Sequence, residues 1–273
     1  MEVALRVAYP GREGAHSAAA CALLFPEAEA GALPSFADVV EAVAGGRFDA
    51  GVLPIESSVV GPVTETHDLL VDSGVSINAQ TVIPIRHFLV GVAEVPLSEI
   101  RIVRSHPVAL DQCRRLLASL PQATAIAAGT TADAAAQVAQ DADPAEVAIA
   151  SERAAALHGL VVLAADVGDH PEAYTRFVAI STRTQLDRGP NWRIAFSFQT
   201  DHRPGALHRA IEPFARHGLD LVHLTSRPIP QTPWRYRFDA VVAGHPLDDV
   251  VRDTLAEVRE QSQRFTVFGS YAA

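Results

Sequence analysis

Short runs of apolar, mostly β-branched residues alternate along this chain with longer Ala-rich stretches of helical periodicity. The predicted strands are residues 3–9, 48–55, 82–92, 100–104 and 147–150, and the predicted helices are residues 35–43, 109–120 and 130–141. Because a helix between two strands packs on a face of their sheet, this alternation predicts α/β sheets covered on both faces. With 273 residues, 48% of them hydrophobic, the chain can bury a sizeable core and has room for two domains.

Composition and charge exclude several classes of protein. The net charge of -10 and the pI near 5.5 argue against nucleic-acid binding, since no basic run follows a phosphate backbone. No segment is apolar for long enough to span a bilayer, and no basic leader precedes an apolar stretch, so we expect no membrane partner and a cytoplasmic protein. Cys21 and Cys113 lie in helical patterns and are expected to be buried small side chains rather than a disulfide or a metal site.

Tyr174, Thr175, Arg176 and Phe177 stand at the start of an apolar run. A hydroxyl, a guanidinium and an aromatic ring at the start of a buried strand place polar chemistry at the edge of a sheet, where a small anionic substrate can bind. In isolation the commoner interpretation is structural, with a hydroxyl bonded to backbone, a solvated charge and a core ring. The other polar stretches of the chain decide between these interpretations.

A glycine-bearing loop at residues 10–17 joins the first predicted strand to an Ala-rich helix. Backbone N–H groups near Ala15 and the positive end of the helix favour an anion there. Ser17 is either the helix cap or a ligand contact. The loop lacks the Gly-Lys-Ser/Thr of a Walker A motif and the full dinucleotide fingerprint, so we expect no nucleotide.

Glu56, Ser57 and Ser58 follow the strand predicted at 48–55. A carboxylate and two hydroxyls at this position supply hydrogen-bond groups where open α/β sheets bind their ligands. The same side chains are equally typical of a loop that caps the following helix.

A further polar group precedes the helix predicted at 109–120. Ser105 can cap that helix and present its hydroxyl to a ligand, and Gln112 is expected on the first turns. His106 beside it is more often a structural hydrogen-bonding residue than a base.

Taken together, these stretches resemble the prephenate dehydratase family, in order over the whole chain. The motifs that carry the resemblance are Gly14-Ala15-His16-Ser17; Leu53-Pro54-Ile55-Glu56-Ser57-Ser58 with Gly61 and Asp68-Leu69-Leu70; Ser105-His106-Pro107 with Ala109-Leu110 and Gln112-Cys113; and Thr175-Arg176-Phe177. Each motif alone is common, but four of them in this order and spacing are specific.

The last third of the chain predicts the strand and helix order of a small ferredoxin-like α+β module. It resembles the ACT domain of the same family in the turn at 204–207, in Ser226-Arg227-Pro228, and in Trp234 with Gly244-His245. In relatives this module binds phenylalanine at a subunit interface as a feedback inhibitor. The allosteric residues implied by the resemblance are Gly205, Ala206, Leu207, Asp220, Ser226 and Arg227.

The resemblance also implies a domain organisation and a reaction. Residues 1–183 would form a two-lobed α/β catalytic domain like periplasmic binding proteins, with the second lobe at about 80–157, a linker at about 182–191 and the ACT domain at 192–273. The activity would be the decarboxylating dehydration of prephenate to phenylpyruvate, a step of phenylalanine synthesis. It needs no metal or other cofactor, because aromatisation drives the reaction once the hydroxyl can leave. ACT domains usually pair sheet to sheet, so a homodimer or homotetramer is expected.

Roles of individual residues follow from the same resemblance. Thr175 would act at the leaving hydroxyl, through a hydrogen bond that strengthens as charge develops or as part of a relay. Arg176 would clamp a substrate carboxylate in bidentate fashion, and Phe177 would pack against the substrate ring or wall the cleft. Further contacts would come from backbone near Ala15 and from Ser17, Ser57, Ser58, Ser105, Gln112 and Glu56. The carboxylate of Glu56 would be structural or part of the proton relay, and either paired or protonated.

Four positions depart from the usual motifs of the family. Ser57 and Ala173 stand where Asn is usual, and these changes bear on the substrate. Asp220 replaces another usual Asn and Thr225 a usual Glu, and these changes bear on phenylalanine affinity.

Other functions stay open at this point. Arogenate, which carries an amine instead of the keto group, is an alternative substrate, and decarboxylation without dehydration is a second alternative. A non-catalytic sensor that binds amino acids is a third. A serine hydrolase is disfavoured because no Gly-x-Ser-x-Gly elbow occurs in the chain.

Overall fold

The computed structural model describes residues 4–183, 191–229 and 232–272. Up to Ser181 the elements are β1 (Arg6–Pro10), α1 (His16–Leu24), β2 (Glu29–Leu33), α2 (Phe36–Ala44), β3 (Ala50–Ser57), β4 (Gly61–Pro62), α3 (Thr64–Leu70), β5 (Ser76–Pro84), β6 (Phe88–Gly91), a 3-10 turn (Leu97–Glu99), β7 (Ile102–Ser105), α4 (Pro107–Asp111), α5 (Arg114–Ala118), β8 (Thr124–Ala127), α6 (Thr131–Asp141), β9 (Glu146–Ala150), α7 (Glu152–Leu157), β10 (Val161–Ala164) and β11 (Tyr174–Ser181). They are followed by β12 (Trp192–Gln199), α8 (Ala206–Arg216), β13 (Leu221–Pro228), β14 (Tyr236–Ala243), α9 (Asp249–Glu260) and β15 (Arg264–Ala272). None of the helices in these described ranges is long and apolar enough to cross a membrane.

The chain divides into two units that each draw on several segments. The first unit contains the residues up to Val39, then Val52–Val63 and Thr81–Phe177. The second contains Val40–Gly51, Thr64–Gln80 and the residues from Val178 onward. Helix α3 therefore belongs to the same unit as the C-terminal strands. The linker expected at about 182–191 falls largely outside the described residues.

Two groups of strands build the first unit. Strands β11, β3, β1 and β2 are neighbours in that order, and a separate five-stranded sheet has the order β10-β6-β9-β7-β8. Parallel pairs form between β1 and β2 and between β7 and both β8 and β9, whereas β6 is antiparallel to β9 and β10. Helices connect the parallel strands, so the predicted α/β class is confirmed.

Both faces of the five-stranded sheet are buried, as the alternation of strands and helices predicts. Val147 and Ile149 of β9 pack into one apolar cluster with Leu89 and the α4–α5 region. Ala148 and Ala150, which point to the other face, contact the alanine-rich side of α6. The small side chains on this second face allow the helix to pack close to the strands.

The second unit has a ferredoxin-like module at its centre. Its elements follow the order β12, α8, β13, β14, α9, β15, and its strands are arranged β13-β14-β12-β15, each antiparallel to its neighbour. This confirms the α+β prediction for the C-terminal region. Phe196 lies at the centre of the core, with ring centroids 6.0 Å from Phe198 and 5.8 Å from Phe214. Strand β5 extends the sheet through a parallel pairing of Ile77 with Gly269.

Two predicted elements are wrong in their continuity. The strand predicted at 82–92 is broken at 85–87, because the N–H of Ile85 donates to the carbonyl of Ala173 and the carbonyl of His87 accepts from Val167. The helix predicted at 109–120 is two short helices that meet at Gln112. Cys21 and Cys113 are buried free thiols, as expected.

Candidate active site

The end of β3 lies beside the start of β11, which places two of the polar stretches together. The hydroxyl oxygen of Ser58 accepts from the N–H of Tyr174 at 2.9 Å, and the N–H of Ser58 donates to the carbonyl of Tyr174 at 2.9 Å. These two hydrogen bonds fix the backbone next to Thr175, whose side chain remains partly exposed. The side-chain oxygen of Ser57 accepts from the N–H groups of Val59 and Val60 at 3.3 Å, both local bonds.

Arg176 and Glu56 form an ion pair across these neighbouring strands. The Nε of Arg176 lies 3.3 Å from Oε2 of Glu56, and both side chains are 38% exposed. Glu56 is thus paired, one of the two states that the sequence allowed. A guanidinium that is held by one carboxylate and still accessible can meet a second carboxylate from a ligand.

Phe177, which is expected to pack against the substrate ring or to wall the cleft, is a core residue. Its ring is 2% exposed and belongs to the buried core of β11. Successive strand residues face opposite sides of a sheet, so Phe177 points away from Arg176 and shares its face of β11 with Thr175. The buried ring anchors the start of β11, where the polar side chains lie.

The start of α1 is left without a side-chain cap. Ala15 is the N-cap residue, and neither it nor Ser17 caps the helix, so Ser17 lies partly exposed in the first turn. Gly14 has a φ of +88°, and an added Cβ would lie 3.1 Å from Cα of Ala154, so a glycine is required there. The N–H of Ala15 itself donates to the backbone carbonyl of Arg12 at 3.1 Å, which leaves the N–H groups of the first helical turn to attract an anion.

Ser105 is enclosed rather than presented to a ligand. It has no exposed surface, and its hydroxyl donates to the carbonyl of Ile149 at 2.6 Å. The helix cap predicted for it is supplied by His106, whose Nδ1 accepts from the N–H of Val108 at 3.2 Å. The cap prediction for Ser105 is therefore wrong, because its side chain faces the neighbouring strand.

Gln112 lies at the break between α4 and α5. The carbonyl of Gln112 accepts from the N–H of Asp169 at 2.7 Å, and the Asp169 carboxylate accepts from the N–H groups of Arg114 and Arg115. Asp169 thus caps α5 and interrupts the longer helix that the periodicity predicts. The side chain of Gln112 is held toward His87, with Oε1 at 2.8 Å from Nε2.

Two histidines complete this region, and the sequence interpretation assigned a role to neither. His87 is 4% exposed in the break between β5 and β6, and the ring of His16, at the start of α1, stands edge-on to it at 6.4 Å. Burial, followed by the nearby His87, lowers the pKa of His16 to about 4. Burial also lowers the pKa of His87, although the hydrogen bond to Gln112 opposes the shift. The sequence signal was a lone polar residue inside a strand-like run.

The predicted allosteric residues divide between the two ends of α8. Gly205, with a φ of +77°, is the N-cap of α8, followed by Ala206 and Leu207, whereas Asp220 comes shortly after the other end of the helix. Eleven helical residues rise about 16 Å, so Asp220 lies apart from that turn. Ser226 near the end of β13 is exposed.

Arg227, the last of these residues, is engaged within the second unit. Its guanidinium donates to both carboxylate oxygens of Asp68 on α3 at 3.1 Å. Arg237, directly opposite on β14, donates to the same carboxylate at 2.7 Å and to Asp239 at 3.0 Å. One carboxylate of α3 thereby bridges two like charges that face each other across the sheet.

A family model described as prephenate dehydratase matches residues 7–185, about two-thirds of the chain. The chain belongs to the prephenate dehydratase family. It is therefore a lyase of the dehydratase type, and a second family model identifies an ACT domain at residues 196–260.

Curated relatives of this chain include proteins named as prephenate dehydratases and as arogenate dehydratases. A bifunctional chorismate mutase/prephenate dehydratase of Aquifex aeolicus is 35% identical over 86% of this chain, and the chain spans 64% of that relative's length. Arogenate dehydratase/prephenate dehydratase 2 of Arabidopsis thaliana is 32% identical over 98% of this chain and 72% of its own length.

A solved structure of the family agrees with the fold. The prephenate dehydratase of Arthrobacter aurescens, determined in complex with L-Phe, superposes with a TM-score of 0.88 at 34% identity. The superposition covers 98% of this chain and 90% of that one. The recognition of the dehydratase and ACT regions from their motifs is confirmed.

Proposed function

We propose that this chain is a decarboxylating prephenate dehydratase that forms phenylpyruvate, water and carbon dioxide. The observation that carries the proposal is the arrangement at the β3–β11 edge, where the backbone beside Thr175 is fixed by Ser58 and Arg176 is held by Glu56. The site offers a hydroxyl and an accessible guanidinium on adjacent residues at the start of β11. Thr175 and Arg176 face opposite sides of the sheet, but both are partly exposed, so a ligand bound at the start of the strand can reach both. A substrate with two carboxylates and a leaving hydroxyl requires this pair of groups.

The site has two tasks, which are to bind the carboxylates of the substrate and to assist the departure of its hydroxyl. Arg176 binds one substrate carboxylate, and Glu56 keeps the guanidinium oriented before the substrate arrives. Thr175 bonds to the departing hydroxyl, and this bond strengthens as the C–O bond breaks and charge develops on oxygen. The C–C bond between the ring and its carboxylate then breaks. Its electron pair completes the aromatic ring, and the carboxylate leaves as carbon dioxide. The uncapped start of α1 attracts the other carboxylate.

The C-terminal part extends this proposal to regulation. We assign the catalytic domain to residues 1–183 and the regulatory domain to 192–273, with phenylalanine as the effector and a homodimer or homotetramer as the assembly. Support comes from the ACT match at 196–260 and from the L-Phe complex of the Arthrobacter relative. Titration calorimetry with phenylalanine, tyrosine and tryptophan tests the effector, and absence of heat with all three would contradict it.

The decisive experiment compares turnover by wild type and Thr175→Ala. Phenylpyruvate formation from prephenate at neutral pH should fall by at least about a hundredfold in the variant, beside a no-enzyme control for slow spontaneous aromatisation. Thr124→Ala, at an exposed position of β8, is the matched control and should keep wild-type turnover. Near-normal turnover by Thr175→Ala would remove Thr175 from the mechanism.

Arogenate is assayed in parallel because relatives act on either compound. Faster turnover of arogenate would identify an arogenate dehydratase. Release of carbon dioxide from prephenate without an aromatic product would indicate a pure decarboxylase, and tight binding without turnover of either compound would indicate a sensor.

A further inference from the structure

His87 stands between two of the elements that supply the candidate active site. On one side Gln112 reaches its ring from the end of α4, and on the other side His16 approaches from the first turn of α1. The main chain of His87 is held as well, since its carbonyl accepts from the N–H of Val167 at 2.9 Å. The ring is therefore fixed in position by contacts on separate segments of the first unit.

The contact with Gln112 determines which ring nitrogen carries the proton. With Oε1 of Gln112 facing Nε2 at 2.8 Å, Nε2 must donate, because a carbonyl oxygen only accepts. The neutral ring then carries its lone pair on Nδ1. Burial keeps the ring neutral, as it does for His16, so this lone pair persists at neutral pH.

Nδ1 of His87 has neither solvent exposure nor a hydrogen-bond partner among the residues that the structure describes. A buried acceptor without a donor is costly, and native proteins retain such atoms mainly where a ligand or ordered water supplies the missing partner. The position beside α1 and Gln112 favours the ligand.

We propose that Nδ1 of His87 accepts a hydrogen bond from the bound substrate, and that Gln112 acts as a positioning residue by holding the imidazole in the required tautomer. This inference rests on the proposed function. The complementary group is an O–H or N–H donor of the substrate. Prephenate at neutral pH has one such group, its ring hydroxyl, and arogenate has an ammonium group in addition.

A contact with the hydroxyl would favour catalysis as well as binding. When the relay that includes Thr175 delivers a proton to the hydroxyl oxygen and the group leaves as water, its O–H bond becomes a stronger donor. The bond to Nδ1 therefore tightens as the C–O bond breaks, and His87 itself transfers no proton.

Two substitutions separate the nitrogens of the ring. His87→Gln keeps an amide near the Nε2 position for Gln112 but leaves nothing at Nδ1, whereas His87→Asn keeps a polar atom near Nδ1. We expect kcat for prephenate to fall about ten- to a hundredfold in His87→Gln and to stay within about threefold of wild type in His87→Asn, with circular dichroism confirming that both fold. Equal activity of the two variants would overturn the proposal.

Comparing turnover of prephenate and arogenate shows which substrate group donates the hydrogen bond to Nδ1 of His87. A loss by His87→Gln with both compounds indicates the hydroxyl, and a loss with arogenate alone indicates the ammonium group. Should the wild type turn over neither compound, the proposed function has failed. The His87 contact is then tested by calorimetric binding of prephenate and arogenate to the two variants, where equal affinities would refute it.

A measurement on the wild type alone covers the case in which substitutions at His87 prevent folding. In 15N-histidine NMR spectra, we expect His87 to show an unprotonated Nδ1 whose resonance moves when substrate is added. A protonated Nδ1, or a resonance that substrate leaves unchanged, would overturn the inference.

Discussion

Replacing Asp239 with Leu should destabilise the C-terminal unit by about 3–5 kcal/mol, because the substitution leaves a buried guanidinium without its enclosed partner. The side chains of Asp239 and Arg237 are 3% and 7% exposed, and Oδ1 and Nε are 3.0 Å apart. Asp68, the remaining partner of Arg237, is 50% exposed and compensates less well because water screens it. A loss of this size is a large fraction of the stability of a typical domain.

The same reasoning predicts that removing both partners costs less than removing one. In Asp239→Leu combined with Arg237→Met, neither charge of the buried Arg237–Asp239 pair on β14 remains, so at least about 2 kcal/mol should be recovered. Asp72→Asn is the matched surface control, because Asp72 pairs with Arg264 while the two side chains are 70% and 48% exposed. We expect this control to change stability by less than about 1 kcal/mol.

Tryptophan fluorescence measures the stability of this unit selectively. Both tryptophans of the chain, Trp192 and Trp234, lie in the second unit, and Trp192 is buried. With a urea m-value of about 2 kcal/mol per M, a loss of 3–5 kcal/mol lowers the unfolding midpoint by about 1.5–2.5 M. The reasoning is refuted if Asp239→Leu shifts the midpoint no more than Asp72→Asn, or if the double variant is less stable than the single one.

Two further predictions concern the same unit. Gly269→Ala should cost about 3 kcal/mol or more in the urea assay, because φ is +146° and the new Cβ would lie 2.2 Å from the carbonyl oxygen of Ile77. The control Gly74→Ala, with φ of +71° and open space around the new Cβ, should cost only about 1 kcal/mol. Equal losses of stability in the two variants would contradict this prediction. Burial acts to raise the pKa of Asp239, but hydrogen bonds and charge from its cationic neighbours outweigh it and hold the pKa below 3.8. The folded state then binds fewer protons than the unfolded state, so this contribution to stability is complete above about pH 4 and disappears as pH falls through the folded pKa. The urea unfolding midpoint should therefore fall less between pH 7 and pH 3 in the Asp239→Leu/Arg237→Met double variant than in wild type. Equal falls in the two proteins would contradict the lowered pKa of Asp239.

Elements with local signals were predictable from the sequence. Ser35 and Asp38 form the reciprocal bonds of a capping box at the start of α2, and Thr130 accepts from the N–H of Asp133 at the start of α6. Both helices begin where the sequence places them, because a cap needs only residues three positions apart. The dehydratase and ACT motifs were recognisable for the same reason, since each is a short run of residues.

Breaks inside elements were not predictable, because distant residues cause them. The helix around Gln112 ends where Asp169, more than 50 residues later, caps a new helix. The strand around His87 is interrupted by hydrogen bonds from the loop that precedes β11. Periodicity describes the preference of a segment alone, and a segment does not contain the groups that compete for its backbone.

Pairing between distant charges and polar groups was decided by tertiary structure alone. Gln112 and His87 are 25 residues apart, and Arg227 and Asp68 are 159 residues apart. The sequence by itself determined the α/β alternation, the ferredoxin-like module, the family and the polar start of β11, because hydrophobic period and motif order are properties of the chain. Which nitrogen of His87 holds a proton, and which carboxylate meets Arg176 or Arg237, depends on distances of about 3 Å that exist only after the segments have packed together.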